Sequence, residues 1–93
     1  MSQLENSINL FEDMASAISA KYLANVKIMT VKKGARPDFD ELMSQLKLLE
    51  QELTKQGIEV IEAYTAKNGG ADEITAALKE VIQKTIEAFI KQL

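Results

Sequence analysis

Apolar residues recur along the first third of the chain at alternating spacings of four and three: Leu4, Ile8, Phe11, Ala15, Ile18 and Tyr22. That spacing lines them up on one face of an α-helix and leaves the intervening polar residues on the other. Ser2 with Glu5 three residues on is a capping-box pattern, so the helix is predicted to begin at residue 3. The stripe continues through Val26 and Met29 to "KKG", Lys32 to Gly34. Lysines complement the negative end of a helix dipole, and glycine takes the left-handed position that closes a helix.

Pro37 then disfavours a helical Arg36. Asp38 with Glu41 three residues on repeats the capping pattern and starts a second helix. Its predicted inner stripe is Phe39, Leu42, Leu46, Leu49 and Leu53, with Met43 beside it. The spacing runs on through Gly57 to Val60 or Ile61 and Tyr64. Glycine inside a helix costs about 1 kcal/mol relative to alanine, so a kink is expected near Gly57. "AKNGG", Ala66 to Gly70, repeats the lysine-plus-glycine ending, and Asp72 is predicted to cap a third helix. Ile74, Leu78, Val81, Thr85, Ile86, Phe89 and Leu93 form that helix's inner face.

The predicted fold is therefore all-α: one domain over residues 1–93, an antiparallel bundle of helices at about 3–33, 38–67 and 71–92. Two segments admit a rival. "VKIMTV" and "IEVIEAYT" are dense in β-branched residues, and strands at about 26–32 and 58–65 would make a β-α-β unit flanked by helices. A lone two-stranded sheet is marginal, so that α/β alternative needs a partner chain to extend it.

Composition narrows the chemistry. Hydrophobic residues make up 46% of the 93, but aromatics only 5%, so the core is aliphatic. No cysteine is present, which removes disulfides, thiolate catalysis and zinc–sulfur sites and fits a reducing compartment. No histidine is present either, which removes the commonest general base and transition-metal ligand and every His-dependent hydrolase. The net charge of −3 gives no overall cationic field for general nucleic-acid binding. The first twenty residues hold Glu5, Glu12 and Asp13 and no Lys or Arg, unlike the cationic start of a signal peptide, and no apolar run reaches the length of a membrane span. A cytoplasmic, non-enzymatic protein without a cofactor or metal is expected.

Charge along the chain supplies the candidate sites. Lys27, Lys32, Lys33 and Arg36 form a run without an acid, followed from Asp38 to Glu62 by seven acids against Lys47 and Lys55. The run closes a helix end by its dipole; as a recognition patch it would meet an anion or an acidic partner. Carboxylates at Asp38–Glu41 and Asp72–Glu73 sit where helix N-termini favour negative charge. Glu59 and Glu62 lie three apart without the histidine that di-metal bundles use. The Gly69–Gly70 pair lacks the spacing of a phosphate-binding loop. Because the third helix is the shortest, part of the inner stripe is expected to stay uncovered around Tyr22, Val26, Val60 and Tyr64, favouring a homo-oligomer or another protein partner. The functional expectation is a small interaction protein of adaptor, chaperone-like, inhibitor or immunity type, acting through an aliphatic helical face. The alternative is an α/β module binding an anionic ligand through the loops at 32–37 and 67–72.

Overall fold

A computed structural model describes residues 2–93. It contains three helices, α1 (Gln3–Lys33), α2 (Phe39–Asn68) and α3 (Asp72–Lys91), which run up, down and up and pack pairwise. The described residues contain no strand, so the α/β alternative falls. Segments 26–32 and 58–65 are helical because each lies on a continuing apolar stripe. Burying that stripe outweighs the weak local preference of β-branched residues.

The ends of the first two helices follow the chemistry of their sequence. The Ser2 hydroxyl accepts a hydrogen bond from the Glu5 N–H at 3.1 Å, and the Asp38 carboxylate accepts one from the Glu41 N–H at 2.9 Å. Gly34 closes α1 at φ 68°, donating its N–H to the Val31 carbonyl. Gly69 closes α2 at the same φ, its N–H bonding the Thr65 carbonyl. The start of α3 differs from expectation. Ala71 occupies the cap position and no side chain caps it, while Asp72 is the first helical residue. With Glu73 it supplies negative charge to the first turn, which favours a helix start without a capping bond.

The core is one continuous column with two centres. Ala15, Tyr22, Leu49, Leu53 and Phe89 form the first, and Phe11, Val60, Ile74 and Leu78 the second; Val81 and Ile82 of α3 pack against both. No buried residue of this core is charged. α2 runs as a single helix through Gly57, and the Phe11 ring lies beside it there. At the far end, the Asn68 amide bonds Gln3 of α1 at 3.3 Å and ties the helix ends together.

α1 and α2 have 31 and 30 residues, α3 only 20. At 1.5 Å per residue, α3 is shorter by about 15 Å. It starts beside the C-terminal end of α2 and runs out before the turn that joins α1 to α2. The first two helices therefore project past it as a hairpin.

Candidate interaction surface

The projecting hairpin is where the predicted inner stripe loses its cover. Phe39, Met43 and Leu46 lie on one face of α2 by their spacing. Leu46 packs against the core with Leu93 and Ile86. One and two turns further out, Met43 is 45% exposed and Phe39 is 73% exposed. Phe39 was expected inside. Its periodicity is right, but periodicity reports which way a residue faces and not whether a neighbour reaches it.

The four residues expected to form the uncovered stripe lie elsewhere. Tyr22 and Val60 are buried, each in a different centre of the core. Val26 is half-buried against the Tyr22 cluster and Tyr64 against the Val60 cluster. They do not make one open patch, because α3 spans both levels. The opening lies one end further along, at the α1–α2 turn, and helix lengths alone carried the signal for it.

The basic run divides in the structure. Lys33 pairs with Glu41 and stands 3.8 Å from Asp38, across the turn. The Glu41 carboxylate raises the Lys33 pKa first, and the Asp38 carboxyl is held low chiefly by the backbone N–H of Glu41. Arg36 donates to the Leu93 carbonyl at 2.6 Å, fastening the end of α3 under the hairpin while Pro37 is buried in the turn. Lys33 and Arg36 thus have structural partners. Lys27 and Lys32 are exposed and without ion pairs among the described residues. Lys27 and Lys32, five positions apart, stand about 140° from each other around α1 and so do not converge.

A second polar cluster lies halfway down. The Lys21 ammonium contacts both oxygens of Glu52, at 3.0 and 2.9 Å, and stands 4.9 Å from the centre of the Tyr22 ring. Lys21, then the Tyr22 hydroxyl, holds the Glu52 carboxyl below its ordinary range. The hydrogen bond to Glu52 raises Lys21. Burial, then Glu52, raises Tyr22. The signs give the pH response. The Glu52 contribution is complete above the ordinary glutamate pKa of 4.5 and is lost as pH falls through the depressed folded value. The Lys21 and Tyr22 contributions are complete below 10.5 and 10.0 respectively and are lost as pH rises through the raised folded values. Glu52→Gln is therefore expected to flatten the acid limb of a stability–pH profile measured by urea unfolding. An acid limb identical to that of the parent would contradict the assignment.

A groove of about 790 Å³ runs between α1 and α3, lined by small side chains such as Ser16, Ser19, Ala20, Ala77 and Ala88 together with Ile8, Leu23 and Val81. Its charged residues, Glu12, Glu80 and Lys84, stand on its rim, with Lys84 paired to Glu80 at 3.0 Å. No group of three potential metal ligands occurs among the described residues, and none of the three helices is long and apolar enough to cross a membrane. Comparison with known proteins finds no matching family model, no matching curated protein and no matching solved structure.

Proposed function

We propose that this chain is a small non-enzymatic interaction protein, of adaptor, chaperone-like, inhibitor or immunity type. It works by covering exposed aliphatic helical surface with another protein chain, its own copy among them, in the cytoplasm. The observation that carries this reading is the hairpin end. Phe39 and Met43 continue the face that builds the core, yet stand open where α3 stops. Large apolar residues in that position gain free energy when a partner excludes water from them, about 25 cal/mol per Å² covered. Aromatic anchors and methionine suit such contacts because they bring area at small entropic cost or adapt to a partner's shape.

The reading is tested with the double variant Phe39→Ser, Met43→Ser. Both side chains contribute little to the monomer's core, so helicity and thermal midpoint are expected to stay near those of the parent. Capture of protein partners from the cells that make the chain is expected to fall. A double variant that keeps both its fold and the parent's full set of captured proteins would remove the hairpin end from the function.

A further inference from the structure

α1 is apolar on two faces. Its inner face meets α2 and α3. Its outer face carries Leu10, Ala17, Ala24 and Val31, each seven residues from the next, with Ile28 beside Val31. All five are exposed, Leu10 by 56% and Val31 by 81%. Residues seven apart fall within about 20° of one another around a helix, so these form one stripe running almost its full length. α2 and α3 leave this side bare.

Charge says what covers it. Glu5, Glu12 and Asp13 precede Lys21 on α1, with no cation among them. Lys21, Lys27, Lys32 and Lys33 follow, with no acid among them. Lys21 and Lys33 are neutralised by Glu52, Asp38 and Glu41 of the same chain. Asp13 at one end and Lys27 and Lys32 at the other have no ion pair among the described residues. The segment that complements such a stripe has small residues at its centre, large aliphatic residues toward its ends and the reverse order of charge. α1 read backwards has all three. Laid antiparallel on itself, Leu10 comes level with Val31 of the second copy and Ala17 with Ala24. Asp13 comes within one residue of Lys27. Laid parallel, the same helix sets acid against acid and lysine against lysine.

We infer that two copies of the chain pair through the outer faces of α1, antiparallel about a two-fold axis that passes beside Ala20. This names a partner and a surface for the interaction reading above and rests on it. The interface is isologous, so it closes at two copies and leaves both hairpin ends free. Alanines at the centre let the helix axes approach closely, and the aliphatic ends seal the flanks. Lys21, which falls near the axis, meets its own copy already neutralised by Glu52. Opposed free charges fix orientation more than affinity, so association weakens with salt without vanishing.

Sedimentation of the full chain at high micromolar concentration is expected to give a dimer; a monomer overturns the proposal. Val31→Asp is expected to weaken dimerisation by about tenfold or more, with circular dichroism unchanged because this side chain is outside the monomer's core. A Val31→Asp protein that is folded and still fully dimeric overturns it as well. Orientation is read with introduced thiols, which are the only ones in a chain without cysteine. Ala20→Cys is expected to form a disulfide-linked dimer under mild oxidation. Leu10→Cys alone is expected not to, whereas Leu10→Cys mixed with Val31→Cys is. Self-linkage of Leu10→Cys would show parallel pairing and sink the antiparallel register. Charge supplies a further check: Asp13→Lys and Lys27→Glu are each expected to weaken the dimer, and their combination to restore it. Failure of restoration counts against the antiparallel pairing. The dimer and the broader reading fail separately. A monomer whose partner capture still depends on Phe39 and Met43 removes the dimer alone, and a monomer that captures nothing removes both.

Discussion

Phe11→Ala is expected to cost this protein about 3–5 kcal/mol, close to the whole stability of a weak domain of its length. Phe11 is fully buried, in a cluster with Val60, Ile74 and Leu78 that draws on all three helices. Truncating it removes the transfer free energy of the ring and leaves a cavity, whose cost depends on how far neighbours can relax into it. Here they relax poorly. The wall against the ring is Gly57, which has no side chain to move, and the next neighbour, Ile82, is already shared between both centres of the core. The loss should therefore fall in the upper part of the range. Urea unfolding is expected to show a much lower midpoint with a similar slope, or a population already partly unfolded in water. Phe39→Ala is the internal control, since the same deletion at a 73% exposed ring should change stability by well under about 1 kcal/mol. Equal losses at the two positions would mean that the core is not arranged as described.

Much of the fold was legible because each helix carries its own punctuation. Ser2, Gly34, Asp38 and Gly69 act on residues within four positions of themselves, so their roles can be read locally. Inner faces were legible for the same reason: Phe11, Leu49, Leu53, Ile74 and Leu78 each follow from 3.6-residue periodicity, which the backbone geometry enforces. The surface was less legible because it depends on how the elements are placed against each other. Tyr22 and Val60 look as available as Phe39 by spacing, and only the reach of α3 separates them. The partners of Lys33 and Arg36 were hidden for a related reason. Glu41 is eight residues from Lys33 and Leu93 fifty-seven from Arg36, so both contacts depend on the path of the turn. The outer stripe of α1 was visible as a seven-residue spacing, but the inner stripe of the same helix accounts for a core and leaves the second face unquestioned.

Gly57 is the position where sequence reading and structure differ most usefully in what they lead one to expect of a mutation. From the sequence, glycine within this helix suggests a kink and a propensity cost of about 1 kcal/mol. A Cβ added there would lie 3.5 Å from Cζ and 3.7 Å from Cε1 of Phe11, and 3.7 Å from Cδ1 of Ile82, all ordinary van der Waals distances. A methyl group is thus accommodated without displacement, while alanine also lowers the entropy of the unfolded chain and raises helix propensity by about 1 kcal/mol. Gly57→Ala is expected to stabilise the protein by about 0.5–1 kcal/mol and to raise the thermal midpoint by several degrees. Anything larger must continue from that Cβ into the Phe11 ring. Gly57→Leu is accordingly expected to destabilise by about 1–3 kcal/mol, because the core is already filled and Phe11 would have to leave its rotamer. The reversal of sign between the two substitutions is the diagnostic result in calorimetry. If alanine destabilises as leucine does, the ring packs closer to α2 than these distances allow. If leucine is tolerated, Phe11 is not held against the glycine, and its large expected cost on truncation falls with it.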